Sequence, residues 1–395
     1  MKLDPIVTHL TDTDFYKFTM GQVYLHKMSD LCGTYIFKCR NLDAEFTKDM
    51  YVEICEQVDH LCTLKFTDQE IQYLHTIPFL SYDYVEFLRL WRPLRDYVTI
   101  KFVNGKLDIK VTGPLYSAMQ FEIYLLEIVN EVYFAFKYDY FELLSHAREK
   151  LHENIEAFKS GKYNFKFAEF GCRRRLSRAW EEEVVRTFAR EVPNMVGTSN
   201  VYLAMKYHLK PIGTYAHEYV EAFQGIKKIP LAYTNYYALK TWYAEYGPSL
   251  GTALTDTLGT DIFLADFGRD WAQLYQGVRH DSGDPIEWGN KILKHYRKFG
   301  IDTKTKTLLF SDSLNFDKAQ LLYDTFKDDA KVSFGIGTYV SNNTNVPALN
   351  IVIKLQEVNG RPVAKLSDAP GKTMCQDEHY AKYLREAVNY RLENE

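Results

Sequence analysis

The chain has 395 residues, of which 46 % are hydrophobic and 25 % charged, and this length allows one large α/β barrel with additional structure or two domains. Its formal net charge of −4, without a basic block, argues against nucleic acid as the main partner, because binding to a phosphate backbone needs clustered Lys and Arg. The six cysteines include no C-x-x-C pair, which argues against a zinc site and a disulfide framework.

The N-terminal residues show no targeting or anchoring pattern. Acidic residues stand where a signal peptide needs an apolar segment, and no run in the chain approaches about 18 uninterrupted apolar residues. We therefore expect a cytoplasmic protein without a membrane partner.

The first part of the chain mixes strand and helix patterns. Residues 33–39 alternate as strands do, residues 47–63 have helical spacing, and the Asn-Gly pair at 104–105 is typical of a tight hairpin. These features favour a mixed α+β domain with an antiparallel sheet.

The stretch TDTDFYKFTMGQ, residues 11–22, precedes a predicted helix. Thr11 or Thr13 is suited to cap this helix, with Phe15 packed inward. In the alternative interpretation, Tyr16 supplies a ring for stacking on a ligand.

The pattern changes after residue 113. Two long apolar-rich helical stretches, 115–136 and 138–159, are followed by strand, turn and helix, repeated about six times. This alternation is typical of a parallel α/β barrel or a doubly wound sheet. Polar clusters fall at nearly every strand end, and in barrels these ends surround one pocket.

Two late strands end in candidate ligand-binding stretches. In FGIGT, residues 334–338, the glycines let backbone N–H groups approach an anion and the Thr338 hydroxyl adds a donor; a tight strand-to-loop turn is the alternative. In FSDSLN, residues 310–315, Asp312 is suited to accept from ribose hydroxyls or to bind a magnesium-bound ligand. Capping of the helix that starts near Asn315 by one of residues 311–313 is the alternative.

Three consecutive arginines, residues 173–175, stand where a strand passes into a helix. A guanidinium there can bind a carboxylate or a phosphate through two parallel hydrogen bonds. Consecutive residues cannot share one face, so we expect one or two of them to face a pocket and the others to form surface ion pairs.

His217 follows a strand and directly precedes Glu218. A single histidine is most often structural. A neighbouring carboxylate that orients the ring and raises its basicity would instead suit a base or a nucleophile.

The polar stretch GVRHDSGDP, residues 277–285, is either a solvated turn or a binding loop. Arg279 and Asp281 are its candidates for binding phosphates and hydroxyls. Asp284 is suited to cap the next helix, and His280 is not the expected catalyst.

Together these stretches resemble the nicotinate phosphoribosyltransferases, a family of type II phosphoribosyltransferases. The resemblance spans nearly the whole chain in order, through TDTDFYKFTMGQ (11–22), FGCRRRLS (170–177), GTSNVYLA (197–204), GTYAHE (213–218), LTDTLGTDIFLADF (254–267), GVRHDSGDP (277–285), FSDSLN (310–315) and FGIGT (334–338). The combination of GVRHDSGDP with GTxAHE is highly specific. Cys172 is a departure, because the family's usual residue there is Thr.

The resemblance implies that nicotinate attacks C1 of phosphoribosyl pyrophosphate, giving nicotinate mononucleotide and pyrophosphate in the salvage route to NAD. ATP is the co-substrate, coupled through a phosphohistidine whose position His217 matches. Asp281 and Asp256 are the other implied catalytic residues, and Asp256 matches an acid over the ring side of the pocket. Mg²⁺ is expected to be held mainly through the pyrophosphate. The implied phosphoribosyl and phosphate contacts are Arg279, Asp281, Ser311, Asp312, Gly335, Gly337 and Thr338.

The resemblance also implies how nicotinate binds. The pyridine ring lies between an aromatic residue, which is Phe170 here, and a tyrosine supplied by a partner subunit, which corresponds to Tyr16. Arg173 corresponds to the arginine that binds the ring carboxylate. Ser199 replaces the aspartate of related nicotinamide enzymes, and a serine can donate to a carboxylate that an aspartate repels. Nicotinate is therefore the expected substrate, and a homodimer with a shared active site is the expected assembly.

Other functions fit the sequence less well. Ser199 argues against a nicotinamide phosphoribosyltransferase, and a quinolinate enzyme needs more basic residues and no phosphorylatable histidine. A barrel aldolase needs a Schiff-base lysine at a strand end, where this chain has Arg, His and Asp. A non-enzymatic sensor predicts decay of His217, Asp281 or FGIGT, all of which are present.

The predicted fold is α/β, an irregular parallel α/β barrel with an N-terminal, sandwich-like α+β domain. We assign residues 113–344 to the barrel and residues 1–112 to the N-terminal domain. Residues 345–395 are expected to complete the N-terminal domain.

Overall fold

The computed structural model describes residues 2–369, 373 and 375–394. Its strands are β1 (Cys32–Cys39), β2 (Val98–Val103), β3 (Lys106–Pro114), β4 (Phe167–Glu169), β5 (Met195–Thr198), β6 (Thr252–Leu254), β7 (Gly277–His280), β8 (Thr307–Phe310), β9 (Lys331–Ile336), β10 (Ile351–Val358) and β11 (Arg361–Pro362). Its α-helices are α1 (Tyr16–Lys27), α2 (Lys48–Leu61), α3 (Asp68–His75), α4 (Tyr82–Leu90), α5 (Leu115–Ala118), α6 (Phe121–Lys137), α7 (Tyr140–Lys159), α8 (Arg178–Glu191), α9 (Val201–Lys206), α10 (His217–Ala222), α11 (Thr234–Tyr246), α12 (Thr260–Asp266), α13 (Arg269–Leu274), α14 (Pro285–Lys298), α15 (Phe316–Phe326), α16 (Thr338–Ser341) and α17 (Glu378–Asn394).

An antiparallel sheet has five strands in the order β11-β10-β1-β3-β2. Along β3 buried and exposed residues alternate, so one face of this strand meets the core and the other meets solvent. Asn104 and Gly105 join β2 to β3 with φ angles of 50° and 74°, the left-handed backbone of a two-residue hairpin turn. The predicted Asn-Gly hairpin and the antiparallel sheet are confirmed.

A second sheet has six parallel strands in the order β5-β4-β9-β8-β7-β6. The chain between β5 and β6 spans the gap between these two edge strands. The Ile212 N–H donates to the Thr198 carbonyl at 2.9 Å, and the Thr214 hydroxyl donates to the Thr252 carbonyl at 3.1 Å. The sheet is therefore an irregular barrel, which confirms the predicted fold class.

The C-terminal segment contributes to both layers. Strand β10 pairs with β1 and so extends the antiparallel sheet. Helix α17 instead packs Leu384 and Val388 against Leu258 and Ile262, which lie beside the barrel. The division of the chain into domains at residues 112 and 345 stays a prediction.

Helix α6 is the central helix between the two layers. It is buried without interruption along Phe121–Phe134 and contacts β10 and the turn that follows β4. The single helix predicted over residues 115–136 is in fact two helices, α5 and α6. No helix in the described residues is both long and apolar enough to cross a membrane.

The starts of the helices agree only in part with the sequence predictions. Asp284 caps α14, as predicted, by accepting from two backbone N–H groups. Helix α15 is capped by Asn315 and not by any of residues 311–313. Thr11 does not cap α1, because its N–H and hydroxyl donate to Glu70 at 2.9 and 2.7 Å.

Candidate active site

One cavity of about 480 Å³ lies at the carboxyl ends of the parallel strands. It is lined by residues that follow five strands: Phe170 after β4, Ser199 after β5, Asp281 after β7, Ser311 after β8 and Gly337 after β9. Strand β10 of the antiparallel sheet closes the opposite side with residues 352–354. The predicted single pocket at the strand ends is therefore present.

The cavity brings together almost all of the predicted site residues. Its lining includes Tyr16, Phe170, Arg173, Ser199, His217, Arg279, Asp281, Ser311, Asp312, Gly335, Gly337 and Thr338. Asp256 is the exception, since it is buried behind His217 and does not line the cavity.

His217 is bound to a carboxylate, but not to the neighbour that the sequence suggested. Its Nε2 lies 2.8 Å from Asp256 Oδ1, while Glu218 pairs with Lys17 at 2.6 Å. Burial and the nearby charge of Lys365 lower the pKa of His217 from 6.5 to about 4. The ring is therefore neutral at neutral pH, and the Nε2 contact with Asp256 leaves Nδ1 as the nitrogen available to the cavity.

Asp256 is a buried carboxylate behind this ring and has several polar and charged partners. It accepts from the Ser282 hydroxyl at 2.5 Å and pairs with Lys365 Nζ at 2.7 Å. Burial alone would raise the pKa of Asp256, but His217 and Lys365 hold it well below its usual range. Its bonds direct it to His217, and the expectation that Asp256 lies over the ring side of the pocket stays a prediction.

On the phosphoribosyl side, an ion pair and a hydroxyl form a connected group. Arg279 Nη2 lies 3.1 Å from Asp281 Oδ1, and Arg279 Nε donates to Ser311 Oγ at 2.7 Å. The Ser311 hydroxyl is also 2.7 Å from Asp281 Oδ1. Although burial opposes ionisation, Arg279 and His217 lower the pKa of Asp281, which therefore stays a carboxylate facing the cavity. His280 is buried against the rings of Trp288 and Phe310 and takes no part.

Tyr16 lines the cavity of its own chain. It lies beside Glu122, 3.4 Å from its hydroxyl to Oε2, and burial followed by Glu122 raises its pKa well above 10.0. That a partner subunit supplies this tyrosine to the site stays a prediction. The preceding chain fixes the position, because the Phe15 N–H donates to the Ser199 carbonyl at 2.7 Å.

Ser199 is engaged by a residue that the sequence analysis missed. Its hydroxyl donates to Asp14 Oδ1 at 2.5 Å, and both residues line the cavity. Burial raises the pKa of Asp14, although the hydrogen bond from Ser199 and the charge of Arg173 oppose the rise. The Ser199 hydroxyl is thus not a free donor for a substrate carboxylate.

The three arginines divide between the cavity and the interior. Arg173 and Arg174 line the cavity, whereas Arg175 is completely buried. Arg175 pairs with Asp12 at 2.8 Å and with Glu181 at 3.0 Å, and with two further glutamates. The expected surface ion pair is therefore wrong, and the pairing instead ties the N-terminal stretch to the arginine turn.

Packing against Phe170 is a further reason for a glycine at position 335, besides the predicted one. A Cβ atom at this position would lie 2.3 Å from the Phe170 ring, so the glycine makes room for that ring. Gly337 and Thr338 line the cavity nearby, Thr338 as the first residue of α16.

Among the lining residues that were not predicted are five charged ones: Asp14, Arg40, Glu122, Lys354 and Lys365. Asp14 stands inside the TDTDFYKFTMGQ stretch, two positions before Tyr16, and this position could have indicated it as a site residue. Arg40 and Lys354 reach the cavity because β1 pairs with β10, a contact between distant parts of the chain that no local pattern reveals.

The residues fit a magnesium ion that takes most of its ligands from substrate and water. Asp281 and Asp312 are the lining carboxylates on the phosphoribosyl side. In the described part of the chain, the one cluster of three metal-ligating residues is Asp12, Glu127 and Cys172. Arg175 already supplies a cation there, 2.8 Å from Asp12.

The comparisons with known proteins agree with this architecture. Residues 165–392 match the model of the nicotinate phosphoribosyltransferase (NAPRTase) family, and residues 11–130 match that of its N-terminal domain. A nicotinate phosphoribosyltransferase of Herminiimonas arsenicoxydans is 47 % identical over 98 % of this chain and 99 % of its own, and one of Acinetobacter baylyi is 46 % identical over 98 % and 97 %. The crystal structure of nicotinate phosphoribosyltransferase from Porphyromonas gingivalis superposes with a TM-score of 0.92 at 31 % identity, covering 97 % of this chain and all of that one. The chain belongs to the nicotinate phosphoribosyltransferase family.

Proposed function

We propose that this protein joins nicotinate to phosphoribosyl pyrophosphate, giving nicotinate mononucleotide and pyrophosphate, and that ATP drives the reaction through a phosphohistidine at His217. The observation that carries the proposal is a neutral histidine held by Asp256 in the same cavity as Arg173 and the Arg279–Asp281 pair. Family membership supports the same activity. The product would feed the salvage route to NAD.

Nicotinate would bind on the side of the cavity that holds Phe170, Tyr16 and Arg173. The two rings offer flat surfaces for the pyridine, and the guanidinium of Arg173 is suited to bind the ring carboxylate through two hydrogen bonds. Holding the pyridine nitrogen near C1 of the ribose converts a bimolecular step into an effectively unimolecular one.

The phosphoribosyl group would bind along Arg279, Asp281 and Ser311. The transition state at C1 resembles an oxocarbenium ion, so a nearby carboxylate such as Asp281 stabilises its developing positive charge. Mg²⁺, which Asp281 and Asp312 are suited to hold, would neutralise the departing pyrophosphate.

His217 would act as the nucleophile toward ATP. A bond forms between its Nδ1 and the γ-phosphorus, while the bond from that phosphorus to the bridging oxygen breaks and ADP leaves. The ring becomes an imidazolium that carries phosphate on Nδ1 and donates from Nε2 to Asp256, 2.8 Å away. The negative charge of Asp256 therefore stabilises the phosphorylated ring.

The choice of nicotinate over nicotinamide would rest on charge. Arg173 is a lining cation, and the one carboxylate beside Ser199 is Asp14, whose pKa burial raises and whose Oδ1 accepts from Ser199. Because burial disfavours the charged form of Asp14, this residue opposes a substrate carboxylate less than an exposed aspartate would.

A product assay tests this function. Purified protein is given phosphoribosyl pyrophosphate and Mg²⁺ with nicotinate or nicotinamide, with and without ATP, and mononucleotide is measured. We expect product from nicotinate and a higher yield with ATP. Equal or better use of nicotinamide would overturn the substrate assignment.

The homodimer is a separate proposal. Its reason is the shared active site that the family resemblance implies, in which the partner subunit supplies Tyr16. Light scattering on the purified chain measures the assembly directly, and a monomer at working concentration would contradict the proposal.

A further inference from the structure

Arg174 is a cation of the cavity without a protein partner. In the described residues, no hydrogen bond or ion pair reaches its side chain, and its Nε is buried with no acceptor. Its backbone is held firmly, because the Arg174 carbonyl accepts from Asn342 Nδ2 at 3.0 Å and from Asn130 Nδ2 at 3.5 Å. The backbone of Arg174 is thus held at the cavity wall, while its side-chain donors have no protein partner among the described residues.

A partly buried cation without a partner, such as Arg174 with its buried Nε, is costly in the folded protein. Burial, together with the charges of Arg173 and Arg40, lowers the pKa of Arg174 from 12.5 to about 9. An anionic ligand would remove this cost, because guanidinium hydrogen bonds to phosphate or carboxylate are strong in a site shielded from water.

Arg173 and Arg174 differ in the acidic groups that act on them. The acidic groups that act on Arg173 are Tyr16, Glu122 and Asp14, which lie on the ring side, followed by Asp281. Those that act on Arg174 are Asp281 and Asp312, which lie on the phosphoribosyl side.

We infer that Arg174 binds a phosphate group of the phosphoribosyl substrate, whereas Arg173 binds the nicotinate carboxylate. The inference rests on the proposed function for the identity of the substrate. Apart from that function, the inference is only that the Arg174 guanidinium binds a phosphate monoester or a diphosphate on the Asp281 side of the cavity. Either the pyrophosphate or the 5′-phosphate of the substrate has this chemistry.

Steady-state kinetics of Arg174→Gln test the inference. We expect KM for phosphoribosyl pyrophosphate to rise about 10- to 100-fold, the loss of one charge-assisted hydrogen-bonding group, with little change in KM for nicotinate. Arg173→Gln should show the opposite pattern, and Arg174→Lys should recover part of the loss. Arg186→Gln, an exposed position on α8, is the matched control.

Folding is monitored by thermal unfolding of each variant. Arg174→Gln removes a partly buried charge that has no protein partner, so its unfolding temperature should equal or exceed that of the wild type. A lower unfolding temperature together with equal rises in both KM values would show a structural role and overturn the inference.

Direct binding separates this inference from the proposed function. Titration calorimetry with inorganic pyrophosphate and with ribose 5-phosphate compares wild type and Arg174→Gln. Selective loss of pyrophosphate binding assigns Arg174 to that group, and selective loss of ribose 5-phosphate binding assigns it to the 5′-phosphate. Unchanged affinity for both probes overturns the inference. A wild type that makes no mononucleotide but binds either probe through Arg174 would contradict the proposed function and leave this inference standing.

Discussion

His217 should stay neutral far below the pH at which an ordinary histidine gains a proton. Its pKa falls from 6.5 to about 4 in the folded protein because of burial and the charge of Lys365. Between these values the unfolded chain binds a proton that the folded protein does not, so the free energy of unfolding decreases as the pH falls. At about pH 4.5 this one group costs about 2.5 kcal/mol of stability relative to neutral pH.

Urea unfolding of wild type and His217→Gln at about pH 7.5 and about pH 4.5 measures this effect. Wild type should lose about 2.5 kcal/mol more than the variant on acidification. In the variant, Asp256 loses His217 but keeps Lys365 as a charged partner, 2.7 Å away. His152→Gln, at an exposed position on α7, controls for the removal of a histidine. Equal losses in wild type and His217→Gln would refute the buried, neutral ring.

Three substitutions test other parts of the site. Asp256→Asn should lower ATP-stimulated product formation about 100-fold or more, because the His217 ring loses its charged partner, while basal transfer without ATP persists. ATPase and transfer assays measure the two activities. Gly335→Ala should raise KM for nicotinate, since the added methyl carbon would lie 2.3 Å from the Phe170 ring; an unchanged KM would mean that this ring does not bind substrate. Ser199→Asp should raise KM for nicotinate about tenfold or more by placing a second carboxylate beside Asp14, and competition between nicotinate and nicotinamide reveals any change of preference.

Local patterns predicted the parts of the structure that depend on short-range physics. The Asn104-Gly105 turn and the Asp284 cap follow from backbone and side-chain preferences of a few residues. The gathering of strand-end residues into one cavity also follows, since parallel strands place their carboxyl ends together.

Contacts between distant residues escaped prediction. Asp256 lies 39 positions after His217, while the adjacent Glu218 is held by Lys17, 201 positions earlier. Arg175 is buried and pairs with carboxylates from separate elements, so the three consecutive arginines in the sequence do not reveal its partners. Such partners follow from the packing of the barrel and not from spacing along the chain.

Transfer of phosphate from ATP to His217 is the most direct test of the proposed mechanism. Protein is incubated with γ-radiolabelled ATP and Mg²⁺, and protein-bound phosphate that is stable to base but labile to acid is counted and located by mass spectrometry. We predict such phosphate on His217 of the wild type and none in His217→Gln, which should retain basal transfer without ATP stimulation. Absence of label in an active wild type, or ATP stimulation that survives in the variant, would contradict the phosphohistidine mechanism.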